Sequence, residues 1–219
     1  VLMLIASRGA AQAGNDGPLR LYMYGIGGWI FIAFGVVLVM QRVLVRVNRS
    51  GPAAWVRSKP VTRTAFVVAR LVVNSIAILL TSVIVPGVIV YITLGLFSKL
   101  GWLSPLGFTA ALVLMSLNMF YWITLVLMMG TLSESSSVVI AVPMALFFLF
   151  WMGADVIPGL IYISPLLLTF SPAPEQMAPL TVSLMTGEPV FSWLPLISTV
   201  VFSTIFIAVA IWRFNRQEF

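Results

Sequence analysis

Five stretches of this chain are free of charge and long enough to cross a lipid bilayer: 21–40, 71–98, 100–133, 135–154 and 191–212. A helical span needs about 20 predominantly apolar residues to cross a hydrocarbon core of about 30 Å. Inside that core every backbone amide must find its partner within the protein, which leaves helices or closed barrels. Runs this long, without period-two alternation, select helices. The composition agrees: 61% of the 219 residues are hydrophobic and 8% are charged, against about 45–50% and 25% in soluble domains. The expected fold class is therefore all-α, a polytopic helical membrane protein forming one transmembrane domain over 1–219.

The expected spans are 21–40, part of 71–98, 105–129 within the 100–133 run, a fourth from Ser136 to the neighbourhood of Asp155, and a fifth over 191–212. Gly25, Gly27, Gly28 and Gly35 allow close helix approach in the first. Gly101, Ser104, Pro105 and Gly107 mark a turn before the third. Between 156 and 190 the chain changes character. Pro158, Pro165, Pro172, Pro174, Pro179 and Pro189 break any long helix, yet 160–170 stays apolar, the pattern of an external or re-entrant segment. The chain starts at Val1, and residues 1–6 read as the tail of an earlier span, so six spans are expected in the complete protein.

Orientation follows from the cations. Nine of the twelve Lys and Arg residues lie in two places: Arg42, Arg46, Arg49, Arg57, Lys59, Arg63 and Arg70 in the 41–70 loop, and Arg213 and Arg216 in the tail. The 153–190 segment has none and carries Asp155, Glu175 and Glu188. The basic loop and the C-terminus are expected in the cytoplasm and the proline-rich segment outside. The net charge of +6 thus reads as membrane topology and not as nucleic-acid binding, because the cations sit beside apolar runs and do not interleave with aromatics.

Within the basic loop, Ser50-Gly51-Pro52 is a helix-start signal and Ala53 to Ser58 can form about two turns before Pro60. Thr62 can cap a further helix running through Arg63 and Phe66 into the second span. Trp55 and Val56 offer apolar contact area, and Arg57, Lys59 and Arg63 offer charge. A soluble ATPase that moved against such a helix would tilt the spans attached to it. The competing reading is a topogenic basic segment lying on anionic lipid.

These residues resemble a family. Ser58-Lys59-Pro60-Val61-Thr62-Arg63 is similar to the Pro-Val-Ser/Thr-Arg element that follows the second span of ABC-2 type permeases, the membrane subunits of many ATP-binding-cassette transporters. Trp55-Val56-Arg57 stands where that family places its cytoplasmic coupling helix. The serine-rich loop 131–137 and the aromatic-basic end 213–219 extend the likeness over most of the chain. The resemblance implies an exporter, a second copy or a related permease as partner, and a cytoplasmic ATPase subunit docking on Trp55, Val56, Arg57, Ser58, Lys59, Pro60, Val61, Thr62 and Arg63. It also implies a prokaryotic cytoplasmic membrane as the location.

The chain contains no Gly-x-x-x-x-Gly-Lys-Ser/Thr phosphate loop, so ATP is expected on the partner and no cofactor on this chain. There is no Cys or His, which removes thiol nucleophiles, imidazole bases and the usual zinc ligand sets and argues against an enzyme. A secondary transporter would need coupling carboxylates inside the spans. Glu134 and Asp155 fall at the ends of the fourth, where Glu134 reads as a helix-start carboxylate. That alternative and a non-transporting scaffold stand beside the permease reading.

Asn74, Thr81, Asn118 and Tyr121 are the polar positions that offer a substrate route, with Ser75, Ser82, Ser116 and Thr124 nearby. The competing reading is ordinary hydrogen bonding between helices, about 0.6 kcal/mol on average in measured membrane cases. Pro86, Gly87 and Pro143 are expected to kink their spans. Arg70 reads as a snorkelling anchor. Trp29, Trp102, Trp122, Trp151, Trp193 and Trp212 read as interfacial belts.

Overall fold

The computed structural model describes residues 30, 32–40, 63–97, 102–133, 135–154, 156–157, 159–171 and 177–216. All regular structure among them is helical, and four helices are long and apolar enough to cross a membrane: Leu71–Leu96, Pro105–Leu132, Ser136–Gly153 and Leu194–Phe214. The protein is an all-α polytopic membrane protein. Of the first expected span, residues 32–40 are helical and carry a buried face of Ile32, Ala33, Val36, Val37 and Met40.

The second span begins as α1, Arg63–Ile78, passes through a π-helical stretch at Leu79–Ile84, and continues as α2, Val85–Phe97. The residues flanking the π stretch keep right-handed helical backbone angles, so the path is one continuous helix. Its cause is Pro86, which has no N–H to give and whose ring would press on the carbonyl four residues earlier. Widening the turn relieves that clash, and the Val85 N–H reaches back five residues to the Leu80 carbonyl. Thr81 donates its hydroxyl to Ala77 O at 2.9 Å and, more weakly, to Ile78 O at 3.4 Å, which serves carbonyls beside the irregular turn where lipid offers no donor. The expected irregularity at Pro86 thus takes the form of a wide turn.

After a short connection the chain reverses into α3, Pro105–Leu132, started by Ser104 as cap and Pro105 in the first turn. Tyr91 fixes the reversal from the α2 side: its hydroxyl donates to Leu103 O at 3.2 Å, and its ring meets Trp102 at 5.5 Å and Phe108 at 4.8 Å. The Ser133 N–H closes the far end on Met129 O. Helix α4, Ser136–Gly153, then returns antiparallel to α3 with Pro143 inside it.

Gly153 and the left-handed Gly159, at φ +89°, turn the chain into two single-turn helices, α5 at Leu160–Ile163 and α6 at Leu166–Thr169. Leu166, Leu167, Leu168 and Thr169 are completely buried. Helix α7, Leu180–Thr186, docks on the start of α3. Gly107 makes this approach possible, because a Cβ there would collide with the Leu184 carbonyl oxygen. The proline-rich region therefore contributes short helices packed against the bundle.

Helix α8, Leu194–Arg216, completes the described fold. Its start lies beside α5, where Ser198 contacts Tyr162 O at 3.5 Å and Phe191 stacks on Tyr162 at 6.2 Å. Helix α5 follows the end of α4, which lies beside the start of α3. Helices α3 and α8 therefore run parallel, and the bundle is built around their contact. At its far end Arg216 lies over the Trp212 ring at 4.5 Å.

Trp122 departs from the expected interfacial belt. It is fully buried midway along α3, 6.0 Å from the Phe147 ring of α4, which in turn meets Phe34 edge-on at 5.1 Å. Packing of three helices claims this indole. Trp102, Trp151, Trp193 and Trp212 are exposed near helix ends, as the belt requires.

Candidate functional site

The basic element Trp55, Val56, Arg57, Ser58, Lys59, Pro60, Val61 and Thr62 lies outside the described residues, as do Glu134 and Asp155. Arg63 stands at the first position of α1. From there the helix proceeds without a break to Phe97.

The four positions offered as a substrate route separate into two environments. Thr81 is exposed on the outer face of the helix, its hydroxyl turned back on its own backbone. Asn74 is half-buried on α1 and hydrogen-bonded or otherwise engaged. Asn118 and Tyr121 are buried in the middle of α3. The Tyr121 ring meets Phe206 of α8 at 5.5 Å and Trp122 at 5.4 Å. The structure thus brings Asn118 and Tyr121 together, one turn apart on the face of α3 that enters the bundle, and leaves Thr81 exposed on the outside.

Most hydroxyls in the spans satisfy themselves locally, bonding carbonyls three or four residues earlier in the same helix. Ser116 donates to Leu112 O at 2.7 Å, Thr124 to Tyr121 O at 2.9 Å, Thr199 to Pro195 O at 2.6 Å and Thr204 to Val200 O at 2.8 Å. Asn118 cannot do this for both ends of its carboxamide. Its Oδ1 and Nδ2 are buried with no hydrogen-bond partner among the described residues, and the same holds for Trp122 Nε1 and Ser203 Oγ.

Such groups are costly. A buried polar atom left unpaired forfeits about 1–3 kcal/mol, while an interhelical hydrogen bond within a membrane returns about 0.6 kcal/mol on average. Asn118 has a donor and an acceptor to satisfy, Trp122 a donor, and Ser203 one of each. All three lie on helices that pack against each other or against α4. Chemically the set can hold a neutral hydrogen-bonding group; none of the three carries charge.

Trp122 and Ser203 belong to this polar group and were not legible as part of it. The sequence signal for Ser203 is one hydroxyl among Ser198, Thr199 and Thr204, and only the packing distinguishes it from those that bond their own helix. Among the described residues no group of three His, Cys, Asp or Glu side chains is placed to hold a metal. No family model and no curated protein matches the chain.

Proposed function

We propose that this chain is the membrane-spanning permease subunit of an ABC-2 type transporter, exporting a substrate when a separate cytoplasmic ATPase hydrolyses ATP. Fold and sequence support the reading from different sides. The fold is a polytopic helical bundle, and the sequence places a basic loop with an apolar anchor, Trp55, between two apolar stretches. In this reading the protein resides in a prokaryotic cytoplasmic membrane with its C-terminus in the cytoplasm, and works with a second copy or a related permease.

The observation that carries the reading is the continuous helix from Arg63 to Phe97. A push delivered at the basic element has a rigid lever to act on, and the wide turn at Leu79–Ile84 is a place where that lever can bend. The Trp55–Arg63 element would receive the push through apolar contact at Trp55 and Val56 and charge at Arg57, Lys59 and Arg63. Movement of the lever then reaches Tyr91 and the head of α3.

The test is co-purification of the full-length protein with its candidate ATPase, comparing wild type with a Trp55→Ala, Arg57→Glu double variant. Loss of the ATPase from an inserted, folded variant is the expected outcome. Retention of the ATPase would reduce the loop to a topogenic segment, and failure of wild type to bind any ATPase would overturn the transporter reading.

A further inference from the structure

The unpartnered polar atoms can be placed relative to one another. Helices α3 and α8 run parallel, and the Tyr121–Phe206 ring contact at 5.5 Å fixes their register. Asn118 precedes Tyr121 by three residues and Ser203 precedes Phe206 by three, so both lie about 4.5 Å nearer the helix starts, at one level. Asn118 is 0% exposed and Ser203 is 2% exposed. Both are therefore inside the bundle, and neither can be turned toward lipid.

The direction of Asn118 follows from its neighbours on the helix. Residues three and four positions further on flank it on the same face. One of them, Tyr121, touches α8, and the other, Trp122, touches Phe147 of α4. Asn118 thus projects between α8 and α4, with the Trp122 indole forming one wall. Its distance from the ends of α3, thirteen residues from Pro105 and fourteen from Leu132, is about 20 Å either way. The group sits at the midpoint of α3.

A carboxamide with both ends unmet, a hydroxyl at its level and an indole N–H one turn along make donors and acceptors without charge. Local hydrogen bonding has already satisfied the neighbouring Ser116, Thr124, Thr199 and Thr204. Of the described residues whose buried side chains lack a partner, Asn118, Trp122 and Ser203 are the ones on the α3–α8 seam, while Ser75, Thr169 and Thr181 lie on other elements. We propose that Asn118 and Ser203 line a hydrated binding site at the midpoint of the α3–α8 seam, and that this site takes a neutral hydrogen-bonding group, a hydroxyl or an amide. Charged headgroups are poor occupants, because nothing in the site neutralises them. The site does not depend on the permease reading; if that reading holds, the transported molecule passes here and not along the Thr81 face.

The chain has no cysteine, so each single Cys variant of these 219 residues carries one thiol. We would compare Ser203→Cys with Thr204→Cys in membranes, using hydroxyethyl methanethiosulfonate, a neutral reagent that itself bears a hydroxyl. Thr204 lies at nearly the same depth and is exposed on the outside of the bundle, where a thiol in lipid stays protonated and unreactive. Hydration of the seam predicts that Ser203→Cys reacts about ten-fold faster than Thr204→Cys. It also predicts that Asn118→Leu, introduced beside Ser203→Cys, slows the reaction and lowers thermal stability. Should Ser203→Cys fail to insert, Asn118→Cys carries the same comparison. Equal slow reaction at both depth-matched positions would overturn the proposal. So would a gain in stability from Asn118→Leu, since that marks a dry seam improved by losing its amide.

Discussion

The second and third spans are both long, apolar helices, yet 22% of the Leu71–Leu96 window is buried in the bundle against 61% of the Pro105–Leu132 window. Composition does not separate them. What differs is the number of partners: α3 meets α1, the π stretch, α4, α6, α7 and α8, whereas the second span turns Val72, Val73, Ile76, Leu80, Val88, Ile89 and Leu96 outward. In water such an outward row would be an aggregation surface; in a bilayer it is an ordinary lipid contact. One helix of this protein is thus a structural axis, and the other is a strut with a free side.

The comparison is most severely tested at Trp122. Truncation to Ala removes the largest fully buried side chain of the axis and should cost roughly 3 kcal/mol, the low end for such a change because lipid offers no water-to-core transfer term. Thermal unfolding in detergent, read beside Trp151→Ala on the outside, would show it. Equal effects at the two tryptophans would mean that the buried face of α3 carries no more of the stability than an outward position on α4 and would remove its standing as the axis.

Gly107→Ala should cost less, roughly 2 kcal/mol, because the new methyl meets the Leu184 carbonyl and backbone cannot step aside as a side chain can. Limited proteolysis over 177–190 is the direct measurement, with faster cleavage expected as α7 lifts from α3. Unchanged cleavage would mean that α7 is held by its contacts with α6 alone. At the other extreme, Val73→Ala on the strut should change monomer stability by less than about 0.5 kcal/mol. If it instead dissociates an assembly seen by light scattering, the free side of α1 is a protein contact and the comparison must be redrawn for the oligomer.

The spans themselves were readable. The 105–129 expectation meets a helix at Pro105–Leu132, with Ser104 capping it and Pro105 in its first turn. The fourth begins at Ser136 as expected, and the last runs past Trp212 to Arg216. Which faces are buried was not readable, because lipid and bundle interior both select apolar side chains and no polar stripe marks the outside. Trp122 looked like an interfacial residue for that reason. Likewise the hydroxyls of Ser203 and Thr204 are equivalent in the sequence, yet Thr204 on the outside bonds a carbonyl of its own helix and buried Ser203 does not. The wide turn at Leu79–Ile84 had a visible cause in Pro86, but proline can be accommodated by a bend or by a change of winding, and the sequence does not choose between them.

That change of winding separates the phase of the two halves of the long helix. Each added α-helical residue turns the helix by about 100°, so taking up one extra residue in the π stretch sets where Tyr91 and Gly95 point independently of where Leu71 and Ile78 point. The first half can keep its seat beside α3 and α8 while the second half is aimed at Trp102 and Phe108. Leu79–Ile84 therefore works as a clutch between two registers, and it is the one described stretch of this span in which gaining or losing a residue would re-aim the head of the helix without unseating its base.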